Sequence, residues 1–227
     1  MKTPKPYPIK PKGFSLVELM VSLALGIVVL TGVFKMQSST LDNNAHSLKL
    51  SRISQEMRSA LDVIKSDIKR SGYWRNANLN TNNTFGSLMI SQDNSCISFT
   101  YDANNNGVLD QPGDEFGFRL SQGAIEARAG ADACDTVSPT RATWAPITDI
   151  DSIIVNNLAF TKKVNCLNIS TQPFTSCNIN PAATGEKTIN TTSITIDIQG
   201  VSASDSNITM QVSDAAMLRN DIVTTIQ

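Results

Sequence analysis

The chain has 227 residues and nearly balanced charge, 19 basic against 20 acidic side chains. Four Lys and no acid fall in the first 13 residues, so the rest holds 15 basic and 20 acidic residues, net −5. That balance, with no Lys/Arg cluster in sequence beyond residue 13, argues against nucleic acid as a partner, which needs basic patches. The length leaves room for one compact domain with a real core.

Residues 1–13 alternate Lys and Pro. Pro4, Pro6, Pro8 and Pro11 forbid a helix here. An apolar run follows from Phe14 to Phe34, long enough to cross a bilayer, which takes about 20 residues. Lys2, Lys5, Lys10 and Lys12 fit the positive-inside rule for such a span. One carboxylate, Glu18, interrupts the run. A lone charge there costs on the order of a few kcal/mol and is expected to have a partner. A plain single-span anchor explains the lysines but neither Glu18 nor Gly13 directly before Phe14.

Lys12-Gly13-Phe14-Ser15-Leu16-Val17-Glu18-Leu19-Met20 resembles the signal of type IV prepilins and related pseudopilins. The resemblance implies a cytoplasmic leader, residues 1–13, cut between Gly13 and Phe14 by a prepilin peptidase. It also implies N-methylation of the new Phe14 amine, and it makes Glu18 the fifth mature residue, where the family places its assembly carboxylate. Residues 14–34 then serve as membrane helix and filament-core segment. Gly26 and Gly32 read either as places where such a helix unwinds or as small-residue packing sites.

Residues 35–72 are expected to continue the helix. Leu50, Ile53, Met57, Leu61, Ile64 and Ile68 recur at threes and fours, one apolar stripe on an amphipathic helix. No Pro interrupts before Gly72, which offers a stop, with Lys69 and Arg70 in the last turn where the helix dipole favours cations. His46 reads as a solvated surface residue.

Residues 73–227 are expected to form the exported, β-rich domain. An Asn/Thr-rich loop spans Asn76 to Thr84, where the family carries a variable region. Strands are expected at 87–91, 96–101, 115–120, 124–128, 153–164, 193–198, 208–213 and, less regularly, 217–223. Ser193 to Ile198 alternates cleanly and should place its Ile side chains inward. A long helix followed by hairpin-like strands is an α+β arrangement, and here it resembles the pilin fold, a helix packed on an antiparallel sheet. Trp144-Ala145-Pro146 is expected to pack on the sheet, with Asp149 in a turn before the strand at Ile153.

Four cysteines, Cys96, Cys134, Cys166 and Cys177, lie on the exported side, where disulfides persist. Three pairings are open; Cys96–Cys134 with Cys166–Cys177 is favoured because each closes a short loop. Zinc is disfavoured, since there is no CxxC and His46 is distant. Asp102, Asn104, Asn106 and Asp110 place oxygens at offsets one, three, five and nine, with Gly107 at six. That is the first part of a calcium loop. Gly113 stands where the closing acid belongs; Asp114 and Glu115 follow directly and would supply the closing ligand in a longer loop, with Asp114 taken into the ligand set. The other reading is an Asn/Gly hairpin turn. Calcium is the one cofactor the sequence suggests. No GxSxG, phosphate loop or HExxH occurs, and no enzymatic activity is expected.

The domain after the helix resembles PilW-type minor pilins, with the J-type pseudopilins of type II secretion close in plan. That resemblance implies a filament component taking part in assembly, priming or tip formation, with twitching motility or adhesion as the cellular outcome. The implied partners are other minor and major pilins, the prepilin peptidase, the inner-membrane assembly platform and membrane lipid. The implied location is the inner membrane, N-terminus cytoplasmic, and later a filament or its tip.

Overall fold

The computed structural model describes residues 13, 15–77, 83–110, 112–130, 134, 144–170, 172–177, 182–220 and 222–226. The expected leader up to residue 12, Phe14 and residues 78–82 of the expected variable loop lie outside the described residues. The chain divides into two compact units, Met1–Leu48 and Lys49–Gln227. One helix, α1 (Leu16–Ile68), contributes residues to both.

In the first unit, α1 opens with a stretch over residues 16–34 that is apolar on all sides but for Glu18 and two hydroxyl side chains, Ser22 and Thr31. Leu19, Leu23, Ile27, Leu30 and Phe34 are all more than half exposed. The helix is long and apolar enough to cross a membrane, and its most apolar window buries nothing inside the protein. A helix hydrophobic all round is the signature of a span or of a core segment that needs neighbours.

In the second unit, the end of α1 lies on two antiparallel sheets. The first is a meander of β1 (Leu88–Ile90), β2 (Cys96–Thr100), β3 (Glu115–Ser121), β4 (Ala124–Ala129) and β5 (Trp144–Pro146). The β3–β4 turn has positive φ at both Gln122 and Gly123, the primed turn whose twist matches the flanking strands. The second sheet is built on the long pair β6 (Ile153–Asn168) and β8 (Lys187–Ser202). The short β7 (Thr175–Ser176) joins the far end of β6. β9 (Asp205–Met217) and β10 (Ile222–Thr225) pair with the two halves of β8. The sheets meet where Val155 N donates to Gly123 O (2.8 Å) and Phe160 N to Asn94 O (2.9 Å).

One core unites these layers. Ile53, Met57, Ala60, Leu61, Ile64 and Ile68 of α1 meet Ile97, Phe99, Phe118 and Ile125 of the first sheet. They also meet Leu158, Phe160, Ile194, Ile196 and Ile198 of the second. Burying each such side chain is worth roughly 1.5–3 kcal/mol. The inward placement of Ile194, Ile196 and Ile198 follows the alternation of that strand. Leu50, expected in the stripe, is 40 % exposed, so the buried stripe begins one turn later at Ile53.

The helix ends at Ile68 rather than at Gly72, and single turns carry the chain onward. Arg70 N donates to Asp67 O (2.9 Å), Ser71 N to Ile68 O (3.0 Å) and Tyr73 N to Arg70 O (2.8 Å). Gly72, at φ 76°, turns its N–H to Thr100 O at 2.9 Å, which ties the helix end to β2.

The cysteines pair as Cys96–Cys134 and Cys166–Cys177, over separations of 38 and 11 residues. The first fastens the start of β2 to the segment between β4 and β5; the second fastens β6 to the residue after β7. Cross-links of this kind contribute roughly 2–4 kcal/mol each.

Candidate functional site

Two regions carry the side chains that the sequence singles out. The first is the start of α1. Gly13 is exposed, and nothing lies within 4 Å of the place a side chain would occupy. The bond it makes to Phe14 runs into residues outside the described set. Glu18 sits in the first turn of the helix and is exposed. An acid there is favoured by the positive end of the helix dipole. Its backbone carbonyl accepts Ser22 Oγ at 2.7 Å. Among the described residues, no group bonds to its side chain.

The second is the β2–β3 loop, which is built almost wholly from side-chain to backbone hydrogen bonds. Asp102 is 2 % exposed and Asp114 1 % exposed. Asp102 accepts the amides of Asn106 (3.0 Å), Gly107 (2.9 Å) and Arg75 (3.2 Å). Asp114 accepts those of Ala103 (2.9 Å) and Asp110 (2.8 Å). The oxygens of Asn104 and Asn106 accept amides two residues on, at 3.0 and 2.7 Å. Their NH2 groups both donate to Asp110 Oδ2, at 2.7 and 2.6 Å. Gly107 adopts φ 80°, which glycine tolerates and other residues resist. The segment after α1 clasps the outside. Trp74 Nε1 donates to Gly107 O (3.1 Å), Arg75 Nη1 to Asn105 O (2.8 Å) and Tyr73 OH to Asn105 Oδ1 (3.0 Å).

The structure thus gathers Asp102, Asn104, Asn106, Asp110 and Asp114 into one loop. Among the described residues no three His, Cys, Asp or Glu side chains converge as a metal cluster does. No ion pair is made to Asp102 or Asp114 among the described residues. Asp149 and Asp151 form a turn, Asp151 N donating to Asp149 Oδ1 at 3.0 Å, while Asp149 N donates to Glu56 Oε1 on the helix. Trp144 is buried at 4 % exposure, with the Arg119 guanidinium 4.2 Å from its ring centre.

One feature escaped the linear reading. Basic residues do cluster beyond residue 13, in space: Lys65 in the last turn of α1, and Lys69 and Arg70 in the turns just after it, line a cleft with Arg219. The signal lay partly in the closeness in sequence of the first three. Arg219 comes from far along the chain, and sequence carries no sign of it.

The start of the chain matches the prokaryotic N-terminal methylation motif over residues 10–34. With its apolar helix, its antiparallel sheets each fastened by a disulfide and that motif, the chain is a type IV prepilin-like protein. Residues 46–218 match the model for prepilin peptidase-dependent protein B, and the chain belongs to that family. It is similar to prepilin peptidase-dependent protein B of Escherichia coli strain K12, with 26 % identity over 153 residues, 66 % of this chain and 76 % of that protein. Among solved structures, a type IV-like pilin from Thermus thermophilus aligns with a TM-score of 0.36 and 10 % identity, over 74 % of this chain and 96 % of that one.

Proposed function

We propose that the chain is a minor, low-abundance type IV pilin that takes part in pilus assembly, by priming the filament or forming its tip. The supporting observation is the methylation motif over residues 10–34, which runs into a helix long and apolar enough to cross a membrane. On this reading the peptidase cuts between Gly13 and Phe14 and the Phe14 amine is methylated. The N-terminus starts in the cytoplasm and the sheets lie outside the inner membrane. Glu18 neutralises such an amine, its own or a neighbour's, inside the apolar filament. The partners are other pilins and the assembly platform. The alternatives are a J-type pseudopilin of type II secretion and a tip adhesin. A deletion strain complemented with the wild-type gene separates them. Lost pili or twitching with normal secretion is the expected result. Lost secretion with normal pili would retire the pilin reading.

We also propose calcium as the ion for the 102–114 loop. The observation that favours it is the burial of two carboxylates, Asp102 and Asp114, with no cationic side chain in an ion pair with either among the described residues; buried charges ordinarily have a counter-charge or a metal. The hydrogen bonds set a cost. Both Asn amides must give up Asp110 Oδ2 before their oxygens can face an ion. Affinity should therefore be of the weak extracellular kind, with Kd on the order of 10⁻⁴–10⁻³ M. Calorimetric titration of the full chain should show heat and a raised melting temperature, both lost in Asp110→Asn. Neither heat nor shift in the wild type would sink the idea.

A further inference from the structure

The cleft that gathers the basic residues is the larger of two adjoining cavities. It measures about 480 Å³ and is bounded by the last turns of α1 and by residues 219–220. The second, about 410 Å³, shares Arg70 and Tyr73 with it and continues to Tyr101, Asp102 and Ala103. Four cations, Lys65, Lys69, Arg70 and Arg219, face the larger cleft against one acid, Asp62. That runs against a chain whose residues beyond the leader carry net −5.

Two of the cations are occupied. Lys65 pairs with Asp214 of β9, and Arg70 lies 3.9 Å from Asp67. The side chains of Lys69 and Arg219 make no hydrogen bond or ion pair among the described residues; Lys69 acts only through space on Asp214, whose carboxylate Lys65 already holds. Like charges held together raise the local potential and draw anionic groups to the site. The walls are fixed before anything binds. Asn220 Nδ2 donates to Ser71 O (3.0 Å), Gly72 N to Thr100 O (2.9 Å) and Asp102 N to Tyr73 O (3.0 Å). A preformed site loses less ordering entropy on binding.

We propose that this groove docks an extended acidic segment of a partner protein, its carboxylates on Lys69 and Arg219 and its backbone running past Tyr73 toward Tyr101. Extent argues for a peptide over a compact anion: the two cavities form a path lined first by cations and then by Tyr73 and Tyr101, and a phosphate needs only the first. The one acid of the second cavity, Asp102, is buried and its carboxylate is taken up by three backbone amides, so the segment's carboxylates belong at the cationic end. The inference does not depend on processing at Gly13 or on Glu18.

The test uses the full chain in detergent and a fluorescent oligoglutamate peptide, read by anisotropy. Binding is expected, weakening with salt, and the double variant Lys69→Glu/Arg219→Glu should lose at least about tenfold in affinity, as for truncated charge pairs at interfaces. Lys162→Glu/Lys163→Glu, two exposed cations on β6, should bind as wild type does. Circular dichroism melting of each variant checks that the fold survives. Tyr73→Ala should also weaken the peptide, while leaving any binding of inorganic phosphate unchanged. Absence of peptide binding, equal loss in both double variants, or displacement of the peptide by equimolar phosphate would overturn the proposal. Groove-dependent binding of anionic lipid vesicles without peptide binding would overturn it too.

Discussion

Asp93 sits in the turn between β1 and β2 and collects three donors from the serines beside it. Ser91 Oγ donates at 2.5 Å, Ser95 Oγ at 2.6 Å and Ser95 N at 3.2 Å. Those donors, the Ser91 hydroxyl foremost, hold its pKa down to about 2 from an ordinary 3.8. A depressed carboxylate adds stability that is complete above its unfolded pKa and disappears as pH falls through the folded value. Asp93→Asn should therefore melt lower than wild type at neutral pH, and the two melting curves should converge between about pH 4 and pH 2. A gap that stays constant to pH 2 would show that the carboxylate charge plays no part. Gly117, in β3, makes a different kind of demand. A Cβ there would stand 2.7 Å from Ile97 O and 3.6 Å from the Trp144 ring. The obstacle is backbone, which cannot swing aside. Gly117→Ala should cost roughly 1–3 kcal/mol in chemical denaturation, the usual range for overpacking, and should disturb the packing of Trp144 seen in its fluorescence.

At the scale of elements, the last turns of α1 join the two sheets. Ile64 is fully buried, and its neighbours in the core come from α1 and both sheets. Ile64→Ala should lower stability by about 2–5 kcal/mol, the range for truncating a large aliphatic core side chain. Val63→Ala, on an exposed position of the same helix, should change it little. Denaturant midpoints for the two variants check the contrast. The stripe was legible because its period is local: Ile53 to Ile68 recur at helical spacing whatever the sheets do. β2 and β3 were legible because turn residues bound them and aromatic or β-branched side chains fill them, and β4 because the Gln122-Gly123 turn sets it directly after β3. β8 was read at less than half its length. Its first residues, Lys187 to Thr192, are polar except for Ile189, and pairing with β6 and β10 makes them a strand. β5 and β7 are two or three residues long, too short for any period, and partner strands define them. The 102–114 loop showed its donor spacing in sequence. Asp114 showed there too as the residue to close it, but the clasp by Tyr73, Trp74 and Arg75 depends on tertiary contact, which no spacing encodes.

At the scale of the whole molecule, the proposed pilin function, with cleavage after Gly13, makes the charge on Glu18 and the apolar surface around it the terms for assembly. Leu16, Val17, Leu19 and Met20 surround it on the helix, all well exposed in the isolated chain. Packed among other apolar helices, an ionised carboxylate is stable only beside a counter-charge, and an orphan costs several kcal/mol. The Phe14 amine freed by cleavage is a cation of the right sign, four residues before it in sequence. Two variants distinguish charge from shape. Glu18→Leu removes both the charge and the desolvation cost, and Glu18→Asp keeps the charge on a shorter arm. Mass spectrometry of the N-terminus should find Glu18→Leu still cut after Gly13, since the cleaved bond lies outside the apolar turn that Glu18 occupies. Sheared filament fractions should lack it, because without the carboxylate a neighbour's amine is left unpaired. Glu18→Asp should recover part of the incorporation. If Glu18→Leu enters filaments at the wild-type level while processing is normal, the pairing model fails. If Glu18→Leu is absent from filaments because it is never cut, Glu18 belongs to peptidase recognition instead, and the assembly role assigned to it is withdrawn.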